Sequence, residues 1–161
     1  MKNWVLQGNP ETHWQEPWKL FTEPINTWSC TGATGIRHGD RAIIWIANRR
    51  PRLRGIYAIG KVQGPPYMGY PKDWGTSKQA ATLTPFVPLA IYWYVTHHPV
   101  SVDELRPSPF GSHQILAMPR RTAYGCSDAE FDAAMALVER HGPTSIPVPP
   151  APPYAVWQDY V

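Results

Sequence analysis

A chain of 161 residues with 43% hydrophobic side chains is sized for one compact domain with a real core. Its formal net charge is only +3, so any basicity is local, which excludes a histone-like coating protein and leaves room for a patch on a near-neutral body. No run of ~18 apolar residues and no basic-then-apolar leader occurs, so neither a membrane span nor a signal peptide is expected, and a cytoplasmic location is.

The first strand is expected from Trp4 to Gln7. Pro17 suits the first turn of a helix near Trp18 to Glu23, because the N–H it lacks has no partner there anyway. Trp28 follows a turn and stands among loop-forming residues. Gly39-Asp40 turns the chain into a strand from Ala42 to Ala47, and a second strand runs from Gly55 to Val62, closed by Gly64-Pro65-Pro66. Gly64 to Thr84 is rich in Gly, Pro, Lys and aromatic residues and reads as a long surface loop. Pro85 to Thr96, nearly continuous in apolar residues, reads as a central strand. Ser101 with Glu104, and Ser127 with Glu130, make two capping boxes. After the second, Phe131, Ala134, Met135 and Val138 recur at helical spacing until Gly142-Pro143 ends the element. From Pro143 onward, repeated prolines favour an extended path, although Tyr154, Val156, Trp157 and Tyr160 are apolar enough to dock on the domain or on another chain. Strands outnumber helices. The expected fold class is α+β, a small curved mixed sheet or pseudo-barrel of about five to six strands flanked by short helices.

Between the paired strands lies a loop carrying Arg49, Arg50, Arg52 and Arg54. Crowded guanidiniums repel each other unless an anion sits among them, and no Asp or Glu falls between Asp40 and Asp73. Nucleic acid is the expected partner, with affinity falling steeply as salt rises; a merely solvated tip is the alternative. The eight Trp and eight Tyr exceed what a small core needs. Trp4, Trp93 and Tyr94 read as core, Trp45 and Tyr57 lie within the paired strands, and Trp74 joins Tyr67 and Tyr70 on the long loop. An unstacked base recovers ~1–3 kcal/mol on each aromatic face it finds.

Other chemistry is sparse. Cys30 and Cys126 form no C-x-x-C pair, so free thiols in a reducing compartment are expected. The adjacent His97 and His98 would point to opposite faces of a strand, so no metal site is expected. No nucleophile elbow, P-loop, metalloprotease helix or paired-carboxylate motif appears, and the acidic residues cluster at helix starts, where capping explains them. The chain therefore reads as a non-enzyme without a cofactor; a nuclease would have only the histidine pair to offer as general base.

The run Gly39-Asp40-Arg41-Ala42-Ile43-Ile44-Trp45, then Gly55-Ile56-Tyr57-Ala58-Ile59-Gly60-Lys61-Val62, resembles the EVE domain, a member of the PUA-like group. Upstream, Trp4-Val5-Leu6 with Gly8-Asn9-Pro10 is similar to the family's first strand and the loop after it. Downstream, Val100 to Leu105 resembles its short helix. Arg121-Thr122-Ala123-Tyr124 and Ser127-Asp128-Ala129-Glu130 resemble its last strand and C-terminal helix. The likeness implies a PUA-like domain over residues 1–142 and a proline-rich tail over 143–161.

It also implies a function. EVE domains and the related YTH readers hold a modified base in an aromatic-lined pocket, and Trp28-Ser29 resembles the YTH Trp-Ser pair in type and placement. By that resemblance Trp28 and Trp74 stack on the base, Ser29 and Asn9 bond its edge, and Trp45 and Tyr57 complete the pocket. Arg49, Arg50, Arg52, Arg54, Lys72, Lys78, Arg120 and Arg121 contact phosphates. The implied ligand is methylated or hydroxymethylated cytosine, or methyladenine, in DNA. Trp28→Ala should then abolish the preference for the modified base and leave weak, salt-dependent binding. Two alternatives stand: an RNA reader, since nothing visibly tests for a 2′-hydroxyl, or an interaction module that recruits a nuclease or other effector, for which this chain itself has no room.

Overall fold

The computed structural model describes residues 1–8, 26–47, 49–70, 82–95, 98–117 and 121–145. Among them lie nine strands: β1 (Asn3–Gly8), β2 (Asn26–Ser29), β3 (Arg41–Ile46), β4 (Gly55–Val62), β5 (Tyr67–Gly69), β6 (Thr84–Tyr94), β7 (Val100–Ser101), β8 (Ala123–Cys126) and β9 (Thr144–Ser145). Three α-helices accompany them: α1 (Val102–Leu105), α2 (Gln114–Ala117) and α3 (Asp128–Arg140). The helix expected from Trp18 to Glu23 lies outside the described residues. No helix among the described residues is long and apolar enough to span a membrane.

All nine strands belong to one mixed sheet with the main order β2-β6-β4-β3-β1-β8. The pairs are antiparallel except β1 with β3, which run parallel from Asn3↔Arg41 to Gly8↔Ile46. Short strands complete it: β5 and β9 pair with β6, and β7 with β4. Register shifts at Ile44/Trp45 and at Ile59/Gly60 mark bulges, which bend a strand and sharpen its twist. Gly60 is required there, because a Cβ would stand 2.8 Å from the carbonyl oxygen of Ala90. The result is an α+β half-barrel, a curled sheet with short helices packed on it.

Consecutive residues of a strand face opposite sides of the sheet, yet Ala42 through Ile46 and Ile56 through Ile59 are all buried, so the central strands are covered on both faces. Helix α3 supplies Phe131, Ala134 and Val138 to that cover, packing beside β4, α1 and the 3-10 turn Pro109–Ser112. Arg41 ties the helix to the sheet. Its Nε donates to Asn3 Oδ1 at 2.8 Å, its guanidinium lies 4.1 Å over the Phe131 ring, and it pairs with Asp128 and Asp132 at 3.5 and 3.7 Å.

Two expectations need correction. Trp28 is not in a loop: it sits in β2 opposite Val87 of β6. The stretch from Gly64 to Thr84 is not wholly loop either, since Tyr67–Gly69 pairs with Phe86, Pro85 and Thr84. A three-residue strand flanked by Pro and Gly is too short to show a periodicity. The strand expected from Pro85 to Thr96 runs from Thr84 to Tyr94, and both capping boxes form as the spacing predicts.

Candidate nucleic-acid interface

The described part of the arginine loop is built on one short turn. Between β3 and β4 the chain makes a 3-10 turn over Pro51–Leu53, with Pro51 at its first position, where a missing N–H costs nothing. Tyr57 fastens it from below by donating its hydroxyl to the Leu53 carbonyl at 2.7 Å, and burial pushes that phenol up to about 12. Gly55 returns the chain to the sheet with φ +155, and a Cβ there would stand 2.1 Å from the carbonyl oxygen of Val100. That close approach lets β7 pair with β4 at Gly55↔Ser101 and brings α1 beside the tip.

Between tip and helix lies a groove of about 820 Å³. Arg49, Arg50, Pro51, Arg52 and Arg54 line one side, and Ser101, Asp103, Glu104 and Arg106 the other, with His98 and Pro99 between. Arg49, Arg50 and Arg52 are exposed, while Arg54 is partly buried. The Nε of Arg54 is shielded from water and meets no acceptor among the described residues. A buried donor left unpaired costs ~1–3 kcal/mol; it is the rest of the partly buried Arg54 side chain that lines the groove.

The facing carboxylates are largely committed. Glu104 accepts from the Ser101 backbone N–H at 3.2 Å within its capping box, and its Oε2 lies 2.7 Å from His141 Nε2. Burial alone would raise its pKa, but the hydrogen bonds from His141 and Ser101 outweigh that and hold it below 4.5. Asp103 meets Arg106 at 4.0 Å in the open, a pairing of little strength.

The expected base-pocket residues do not converge on this tip. Trp45 is wholly buried in β3 and Tyr57 almost so in β4, so neither presents a ring face to solvent. The resemblance places both in the base pocket, whereas the two-sided burial of the central strands makes them core. Trp45 Nε1 has no acceptor among the described residues. Trp28 and Ser29 are 3% and 2% exposed, and Ser29 Oγ lies 3.2 Å from Thr31 Oγ1. The next residue, Cys30, borders an apolar hollow of about 330 Å³ with Ala33, Ile36, Tyr67, Met68 and Pro85; Trp28 and Ser29 are not among the residues that line it. Burial pushes the Cys30 thiol up to about 11.

Hollow and tip lie toward opposite ends of the sheet. Trp28 is level with Val87 of β6, whereas Ala58, three residues above the start of β4, is level with Tyr94. At ~3.3 Å per residue, the path from Val87 to Tyr94 alone spans ~23 Å. Arg121 is exposed at the same rim as the tip, where its carbonyl accepts from Gln7 Nε2 at 3.0 Å and its N–H donates to the Tyr124 hydroxyl at 2.9 Å. Asn9, Lys72, Trp74, Lys78 and Arg120 lie outside the described residues.

One further cluster brings His113, Cys126 and Glu130 within 4.8 Å of one another. Both His113 ring nitrogens are engaged, Nε2 at 2.9 Å from the Gly125 carbonyl and Nδ1 accepting from the Ile115 N–H at 3.1 Å. Burial, with the charges of Glu130 and Asp128, pushes the Cys126 thiol up to about 12. The group thus reads as packing, with His113 stacked on Phe110 at 4.7 Å.

No protein-family model and no curated protein matches the sequence. Solved structures match the fold. A hypothetical protein from Leishmania major superposes with a TM-score of 0.68 at 12% identity, over 88% of this chain and 97% of that one. Human THYN1 protein, in complex with 5-methylcytosine-containing DNA, gives 0.62 at 13% identity, over 86% and 98%. The DUF55 domain of human thymocyte nuclear protein 1 gives 0.60 at 14%, over 85% and 98%. The chain shares the fold of these structures, a curled mixed sheet with a few short helices.

Proposed function

We propose that this chain is a binding module for DNA that carries a modified base, and that it leaves the strand uncut. The observation that carries the reading is the arginine groove, where guanidiniums gather on a tip held by Tyr57 and Gly55. Phosphate oxygens are the anions that such forked donors fit best. The fold shared with a THYN1 protein bound to 5-methylcytosine DNA supports DNA as the partner.

For the modified base, the hollow bordered by Cys30, Tyr67 and Pro85 offers the right chemistry. Its lining is mostly apolar, and burying one added methyl there is worth ~0.8 kcal/mol. Hollow and tip lie toward opposite ends of the sheet, so phosphate and base contacts fall on separate nucleotides.

Fluorescence polarisation at two salt concentrations tests the reading. The panel is a set of matched duplexes carrying cytosine, 5-methylcytosine, 5-hydroxymethylcytosine or 6-methyladenine, with methylated and plain RNA beside them. A preference of about fourfold or more for one modified duplex, the ~0.8 kcal/mol of one buried methyl, is expected, with intact strands recovered afterwards. A preference for RNA would make the chain an RNA reader. No binding to any member would leave the protein-interaction reading, in which the chain recruits a nuclease or other effector.

A further inference from the structure

The groove between the arginine tip and α1 has unlike walls: Arg49, Arg50, Arg52 and Arg54 on one, and on the other the carboxylates of Asp103 and Glu104 with Arg106, which lies 4.0 Å from Asp103. A continuous phosphate backbone laid across it would meet cations on one side and like charge on the other. A single nucleotide lying crosswise fits both. Its phosphate is anionic, while its base edge can present N–H donors to carboxylates, which only accept.

We infer that this groove seats one unpaired nucleotide, with its phosphate on Arg54 and the exocyclic amine of its base against Asp103 and Glu104. The inference rests on the nucleic-acid reading above and adds a second, base-selective seat toward the opposite end of the sheet from the hollow bordered by Cys30. Arg54 is the natural anchor because its side chain is partly buried and lines the groove. The volume of about 820 Å³ is ample for a nucleotide and its sugar. Cytosine presents an amine at C4, where uracil presents a carbonyl oxygen that would face carboxylate lone pairs. Bases with an exocyclic amine are therefore selected against uracil and thymine. Glu104 is held in place by Ser101 on one oxygen and by His141 on the other, and the second lone pair of Oε2 is left for an amine.

The test uses ten-nucleotide deoxy strands, abasic except for one central cytosine or uracil, measured by fluorescence polarisation against the whole chain. The cytosine strand should bind about tenfold tighter. Asp103→Asn, at an almost fully exposed position, or Glu104→Gln should bring that ratio below about threefold, because an amide can also donate. Circular dichroism checks that Glu104→Gln keeps its helix. Arg54→Gln should weaken both strands alike, since phosphate contacts carry no base information. A ratio near one on the natural protein, or a ratio that neither carboxylate variant moves, overturns the inference. If a modified duplex binds and neither strand does, the groove seat falls while the DNA reading stands. If nothing binds, both fall.

Discussion

Asp40 is nearly sealed from solvent and accepts three hydrogen bonds, from the Lys2 N–H at 2.9 Å, Trp4 Nε1 at 2.9 Å and the Arg37 N–H at 3.1 Å. Burial alone would raise its pKa, but these donors and the Arg37 charge outweigh it and hold the carboxyl below 3.8. The unfolded chain therefore has the higher pKa. The stabilisation is complete above the ordinary carboxylate range and is lost as pH falls through it toward the folded value. Asp40→Asn should cost ~1–3 kcal/mol at neutral pH, because one amide oxygen cannot serve all three donors. The urea midpoint reads that loss, and the variant should lose less stability than the parent when acidified from about pH 5 to about pH 3. Trp28 teaches the opposite lesson about legibility. Its neighbours Ser29, Cys30, Thr31 and Gly32 look like loop, and its strand partner Val87 lies too far along the chain for any local pattern to reveal. Since Trp28 is 3% exposed, Trp28→Ala should cost ~3–5 kcal/mol of stability. A lost base preference speaks for a reading role only where circular dichroism shows the variant folded.

At the scale of elements, the two long central strands are legible because burial on both faces leaves continuous apolar runs, and the caps because a capping box is a four-residue signal. The strands β5, β7 and β9, of three, two and two residues, carry no such signal. The arginine wall of the groove shows in sequence as charge without acids nearby. Its facing wall does not, since only the pairing of β7 with β4 carries Asp103 and Glu104 there. Gly55 makes that pairing possible, so Gly55→Ala should destabilise the chain by more than ~1 kcal/mol and weaken DNA binding as well. Ser127→Ala, at the cap of α3 and away from the groove, should cost ~1 kcal/mol and leave the dissociation constant where it was. Comparing the two by urea titration and polarisation separates loss of fold from loss of groove.

For the molecule as a whole, a charge of +3 is too small for a general field, so the proposed DNA binding rests on the tip. Each phosphate contact contributes ~0.9 to the slope of log affinity against log salt. Arg52→Gln should therefore flatten the slope by about that amount, and an unchanged slope would remove Arg52 from the interface. The order of the sheet has a different consequence, one for synthesis. β1 is held between β3 and β8, with Asn3 opposite Cys126, so this strand waits for one made much later. At ~5–20 residues per second, the intervening ~120 residues take roughly 6 to 24 s to appear. Throughout that interval Trp4, Val5 and Leu6 have one neighbour and an open edge. On the ribosome this edge is where a chaperone has most to protect and where a misplaced strand from another chain has the longest opportunity to join.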